Sequence, residues 1–396
     1  MKRALWVCGV WAVASLAHAQ VSPDDPEVLL LLEPAAVRAT PEPDPFAPLL
    51  ATARAHDART EYDEASRAYQ RFAEACTASV TSMLSGAGPC GQTSIALRRA
   101  FELARALGQR ERAERLAEIY ANEFLYAEPR EVIAIRHDVV AMYLDARDAD
   151  RAQSALTRLT ATHPDAVPGM EVVALAYQAR IDTARGREAR ATRAWRAVER
   201  AWQRVQTSID EDSPVPLAWV REAVAQGRLL RAERAVERFL AIRRPRSGPI
   251  EERQDWWRNV MSPWLVRSQR RLLIARAELE RVYELGSPRH SIIAAARIGE
   301  MYERQAELHQ GLELPDDDYI RIIVGGGELV RGYDQARTHL ETCMSWATHH
   351  GVALDWAARC EEHLHRLDPT RYPQQAELVR YEPYSPDLAA PLPALP

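Results

Sequence analysis

Lysine is all but missing from this chain. Lys2 is its one occurrence in 396 residues, so past the first few positions every full positive side-chain charge is an arginine. The 51 basic and 56 acidic residues leave a formal net charge of −5. A nucleic-acid binder carries a basic patch and a strongly basic domain; that footprint is lacking, and no nucleic-acid partner is expected. Glycine is sparse at 17 residues and β-branched clusters are few, which works against sheet and leaves alanine and arginine to favour helix nearly throughout. Enzyme signatures are missing too. There is no His-Glu-x-x-His, no phosphate loop and no Gly-x-Ser-x-Gly, and no strand pattern that would carry such an elbow. Gly325 to Gly327 is a glycine run without the Lys-Ser or Lys-Thr that phosphate chemistry requires. The chain therefore reads as no enzyme, with no cofactor.

Long apolar runs are confined to the start. Lys2 and Arg3 precede the apolar stretch Ala4 to Leu16, and Ala17-His18-Ala19 follows with a small-x-small pattern. This is the layout of a cleavable secretory signal. Cleavage leaves Gln20 as the new amino terminus and changes the net charge to −7. Spanning a bilayer takes about 20 apolar residues, more than this run supplies, and no later stretch is long enough. Cys8 follows the bulky Val7 and lies too early for a lipid attachment site. The expectation is a periplasmic protein with no transmembrane segment after cleavage.

Proline marks the boundaries. Residues 20–55 carry Pro23, Pro26, Pro34, Pro41, Pro43, Pro45 and Pro48 and read as an extended, partly disordered arm, because each proline opposes helix continuation. Residues 374–396 form a similar Pro-rich tail. Between them lie helical repeats over 56–250 and a C-terminal helical module over 251–373.

Within 56–250 four helix pairs stand out: Ile95 to Gly108 with Arg110 to Phe124, Val132 to Ala146 with Asp150 to Thr162, Val172 to Arg185 with Ala189 to Val205, and Leu217 to Gln226 with Leu230 to Ile242. Gly108, Gly186 and Gly227 fall in the intervening turns. Ala113, Ala152, Ala191 and Ala232 recur at steps of 39, 39 and 41 residues. A small residue at that point lets neighbouring helices approach closely. One helix pair cannot bury its own apolar stripe, so pairs of this kind stack on their neighbours. The tetratricopeptide period is about 34, so these units are longer than the standard one. The fold class expected is all-α: a right-handed α-solenoid of tetratricopeptide-like helix pairs, closed by a C-terminal helical hairpin.

The C-terminal module begins with an apolar-patterned long helix or broken pair from Asp255 to Leu285, with Pro263 marking a start or kink, followed by Ala295-Ala296-Arg297-Ile298-Gly299-Glu300-Met301-Tyr302-Glu303. Tyr333-Asp334-Gln335-Ala336, Trp356, Leu367-Asp368-Pro369 and Tyr372-Pro373 come next. With the repeats, this module resembles the periplasmic tetratricopeptide-repeat proteins of gliding bacteria, some of which serve envelope machines for motility. The resemblance covers roughly two thirds of the chain past the leader, and the repeat pattern is specific for fold more than for partner. Gly325 to Gly327 departs from it, since the family has a continuous charged helix there. The resemblance implies a non-catalytic scaffold or adaptor that binds envelope proteins or peptide segments. The alternative it leaves open is an accessory binding subunit of an envelope or peptidoglycan-linked enzyme. Oligomeric state is not legible in the sequence.

Four cysteines follow the leader, and an even number in an oxidising compartment suggests bridges. Cys343 and Cys360 each lie about two turns from the Gly351-Val352 turn, so antiparallel helices bring them level. Cys76 and Cys90 are left to pair across a loop holding Gly86 and Gly88; buried free thiols remain the alternative for all four. No close Cys-x-x-Cys accompanies them. His349 and His350 diverge by about 100 degrees on a helix, and His363 and His365 lack a third ligand at helical spacing, so no metal is expected. The candidate partner-binding residues lie on the first helix of each pair, where a solenoid exposes its concave face: Arg98, Arg105, His137, Arg180 and Arg221. Arginine suits an acidic peptide or a carboxyl terminus through paired hydrogen bonds; the alternative is plain solvation of a helix face. Trp256 and Trp257, with Trp264, form the richest aromatic cluster, suited either to an interface or to sealing the packing between repeats.

Overall fold

A computed structural model describes residues 45–79, 89–161, 167–210, 213–246, 253–310, 312 and 328–373. The expected leader, most of the Pro-rich arm, the tail over 374–396 and Gly325 to Gly327 lie outside them. Among the described residues the chain is all-helical, with no strand. The helices are α1 (Ala47–Ala58), α2 (Tyr62–Ala78), α3 (Thr93–Ala106), α4 (Arg110–Phe124), α5 (Pro129–Asp145), α6 (Ala149–Ala161), α7 (Met170–Ala184), α8 (Glu188–Val205) and α9 (Leu217–Leu240). A short helical turn, Arg253–Trp256, and a π-helical turn, Trp257–Met261, lead into α10 (Ser262–Tyr283). Then come α11 (Pro288–His309), α12 (Glu328–His350) and α13 (Leu354–Leu367). Each helix packs against the next in the chain.

The repeat is written most plainly in its turns. After α1, α3, α5 and α7 the chain reverses through one left-handed residue: Thr60 (φ 62°), Gly108 (φ 71°), Arg147 (φ 59°) and Gly186 (φ 69°). In each, the following amide reaches back five residues to a helix carbonyl: Glu61 to His56, Gln109 to Ala104, Asp148 to Tyr143 and Arg187 to Asp182. That bond closes the orphan carbonyls at a helix end, and it needs positive φ. Glycine supplies this freely at 108 and 186; at Arg147 an L side chain is held in a region it seldom visits. The turns at 108, 147 and 186 are spaced like the buried alanines Ala113, Ala152 and Ala191, which open the second helix of each pair.

Two expectations are corrected here. The arm was expected to run to residue 55, yet a helix starts at Ala47, with Pro48 in the first turn where its missing N–H costs nothing. α1 and α2 thus form a further hairpin ahead of the four expected pairs. The fourth pair, by contrast, is no hairpin. α9 runs unbroken from Leu217 to Leu240 through Gly227, whose missing side chain makes room for Trp195: a Cβ there would lie 3.0 Å from the indole ring. The glycine serves a helix-to-helix contact and not a turn.

The main core runs from Leu50 to Ala336 and is rich in alanine, with Tyr69, Phe72, Phe101, Tyr120, Tyr143 and Phe239 as its large members. A second, smaller cluster joins α11, α12 and α13 through Ile292, Ala295, Ala296, Leu340, Ala347, Ala357 and Leu364. Gly299 of α11 sits directly against Leu340 of α12, and a Cβ added there would meet that side chain at 2.7 Å. Cys343 and Cys360 are bonded across the α12–α13 hairpin, and Cys76 of α2 is bonded to Cys90 in the turn before α3.

Arginine cross-braces the helices. Arg112 of α4 bonds Asp63 of α2, Arg151 of α6 bonds Glu111 of α4, Arg228 of α9 takes Glu199 of α8, and Arg297 of α11 takes Glu233 of α9. The deepest brace is Arg99 of α3, whose Nε and Nη2 each donate to a different Asp57 oxygen at 2.9 Å, with both side chains buried. The Tyr69 hydroxyl donates to the same carboxylate, and burial with that neighbouring negative charge pushes the phenol pKa up. Removing one partner of such a pair strands a buried charge and costs about 3–5 kcal/mol.

Candidate functional site

α5, α7 and α9, the first members of successive units, present one recess. It has a volume of about 210 Å3 and also touches the start of α11. His137 and Ala141 come from α5, Tyr177 and Arg180 from α7, Trp219 and Glu222 from α9, and Arg289 from α11. These positions share a face because side chains three and four apart on a helix are neighbours.

The floor is aromatic. The His137 ring stacks on Trp219 with centroids 4.0 Å apart and planes 11° from parallel. Tyr177 meets His137 edge-on at 5.3 Å, and its hydroxyl donates to the His137 carbonyl at 3.4 Å. Burial pushes the Tyr177 phenol up, so it stays a neutral donor. The rim is charged. Arg180 lies 5.7 Å over the Tyr177 ring and 3.5 Å from Asp145, which is itself largely exposed. Arg289 is exposed and carries no ion pair among the described residues. Both arginines act on His290, which is buried beside the recess and bonded to Ser287 at 2.9 Å. Burial first, and the Arg289 and Arg180 charges after it, lower the His290 pKa to about 4.

Two of the five expected groove residues, His137 and Arg180, therefore meet at this recess. Arg98 and Arg105 of α3 do not reach it. Arg98 is bound to Glu102 and Glu131, and Arg105 lies 3.6 Å from Asp138, so both brace α3 to α5. Arg221 is exposed and does not line the recess; Trp219 and Glu222 do. Its register on α9 was read two positions from the face that turns inward. Trp219, Tyr177 and Arg289 are the residues sequence reasoning missed. The signal for Trp219 was its spacing of four from Ala223 on the helix, and Arg289 had none, because only folding carries α11 there.

Trp257 is buried and Trp256 half-buried beside the π-helical turn, and the Trp264 indole donates to the Arg243 carbonyl at 2.9 Å. Trp257 also forms one end of an open apolar trough along α10, treated below.

Glu300 and Glu303 of α11 are buried where His363 of α13 reaches them. Arg359 sits 2.6 Å and Arg297 2.7 Å from Glu300, while the Arg366 guanidinium lies 2.7 Å from the imidazole. The carboxylates and the imidazole are engaged by three arginines, so the cluster ties α13 onto α11. Among the described residues no group of three His, Cys, Asp or Glu side chains is placed to hold a metal ion. Nor is any helix among them long and apolar enough to cross a membrane.

Compared with known protein families and with curated proteins, the chain finds no match in either.

Proposed function

We propose that this chain is a non-catalytic periplasmic scaffold or adaptor, a tetratricopeptide-like α-solenoid that takes a peptide segment of an envelope protein on the face formed by α5, α7 and α9. The observation that carries this reading is the recess itself: an aromatic floor of His137, Tyr177 and Trp219 beneath two arginines, one loosely paired and one without an ion pair among the described residues. Tryptophan, tyrosine and arginine are the side chains that carry most binding energy at protein interfaces. A flat apolar floor under a rim where Arg180 and Arg289 stand beside Asp145 and Glu222 suits a side chain or chain end that is apolar in body and polar at its tip, with arginine giving paired hydrogen bonds to a carboxylate. The four repeated hairpin turns and the buried alanines favour the solenoid, since such units stack on their neighbours to bury their stripes. A resemblance to the tetratricopeptide proteins of gliding bacteria, the start of the sequence and the paired cysteines favour an envelope setting.

The test is crosslinking in living cells followed by affinity purification, comparing wild type with Trp219→Ala and with an Arg180→Glu, Arg289→Glu pair. Defined envelope proteins captured by wild type and lost from both variants, with helical content unchanged, are the expected result. Capture that is the same in all three chains sinks the recess as the working surface.

A further inference from the structure

Val266, Leu273 and Ile274 of α10 stand 66, 51 and 48 % exposed. They lie on the side opposite the buried Trp264, Ser268, Leu272, Ala275 and Leu279, which seat α10 on the core. The spacing 266, 270, 273, 277 is that of one helical stripe, running about 16 Å along the axis. The stripe lines a trough of about 800 Å3 that also touches Leu265, Trp257 and His309. A monomer gains nothing by leaving three branched aliphatic side chains in water at adjacent turns, and contiguous patches of this kind mark interaction sites.

The charge around the trough selects the occupant. Arg270 lines the trough, Arg267 is exposed one residue from Val266 and Arg258 one residue from Trp257, and none of the three carries an ion pair among the described residues. No acidic residue occurs from Ser262 to Ala277. A second copy of the same face would set these arginines against one another. An interfacial helix carries its Trp, Phe or Leu side chains proud of the surface, whereas here Val266, Leu273 and Ile274 line a trough whose one tryptophan, Trp257, is buried. We infer that the α10 trough is a docking site for an acidic amphipathic helix of a partner protein. Its apolar stripe lies on Val266, Leu273 and Ile274, and its carboxylates meet Arg258, Arg267 and Arg270. This is the helix-in-groove mode, with anchors at i, i+3 or i+4 and i+7. It uses none of the side chains of the α5–α7–α9 recess, so either surface stands without the other.

The probe is a pair of helical peptides of about 15 residues, each with a leucine stripe, one flanked by glutamates and its twin by lysines. Binding to the whole chain is followed by fluorescence anisotropy. The acidic peptide is expected to bind at least about tenfold tighter than its twin, to weaken about tenfold in Ile274→Glu, and to yield its advantage to the lysine twin in an Arg267→Glu, Arg270→Glu pair. All three positions are exposed, and circular dichroism confirms the fold of each variant. Equal binding of both peptides, or binding that neither variant alters, overturns the inference. So does co-sedimentation with phosphatidylglycerol vesicles without peptide binding, or a dimer in sedimentation that Ile274→Glu dissociates.

Discussion

Arginine does two different jobs in this protein, and burial of its partner separates them. Arg99 is held by both oxygens of a buried Asp57, whereas Arg98, its neighbour in sequence, lies at the surface between Glu102 and Glu131. Exposed pairs contribute at most about 1 kcal/mol, so Arg98 sets geometry more than stability. His290 shows the cost of placing it beside the two rim arginines. It is neutral when folded because burial and two arginines lower its pKa to about 4 from 6.5. Between those values the unfolded chain binds a proton that the folded chain refuses, so stability must fall as pH drops from about 6.5 towards 4. The expected loss is of order 2–4 kcal/mol. Urea unfolding at pH 7 and pH 4.5 checks this. Wild type should lose more stability between them than His290→Asn does, and equal losses would assign the pH dependence to other groups.

Elements in this chain are joined by a few positions where a helix comes unusually close to its neighbour. α11 and α12 share two of these: Gly299 leaves its Cβ space to Leu340 of α12, and Gly332 of α12 lies against Ala306. In an exposed helix, glycine to alanine would stabilise by up to about 1 kcal/mol. At Gly299 the added methyl meets a side chain at 2.7 Å and the Ala336 carbonyl oxygen at 3.3 Å, so overpacking wins. Gly299→Ala is expected to destabilise by about 1–3 kcal/mol. Thermal melts should show a lower midpoint, and an unchanged or raised midpoint would mean that α12 shifts at little cost. Gly227 presents the same logic against Trp195. There the glycine misled the reading of the sequence, because a turn glycine and a packing glycine are the same letter.

At the level of the whole molecule, two cores carry two disulfides. Cys343–Cys360 lies within the small cluster of α11, α12 and α13, while Cys76–Cys90 borders the main core at α2. Closing a loop of 17 residues constrains the unfolded chain by about 3 kcal/mol. Reduction should therefore loosen the small cluster first. In hydrogen exchange under mild reductant, amides of α12 and α13 are expected to lose protection while those of α5 to α9 keep theirs; simultaneous loss would show one cooperative unit. The sequence by itself determined the helical class, the period of about 39 residues and the candidate cysteine pairs, because these rest on local propensity and on spacing along one helix or hairpin. It could not show the left-handed turns at Thr60 and Arg147, since neither side chain advertises positive φ. Nor could it set His137, Tyr177, Trp219 and Arg289 around one recess. They come from four helices up to 152 residues apart in the chain, and what brings them together is the packing of successive helices, a long-range outcome that no local window contains.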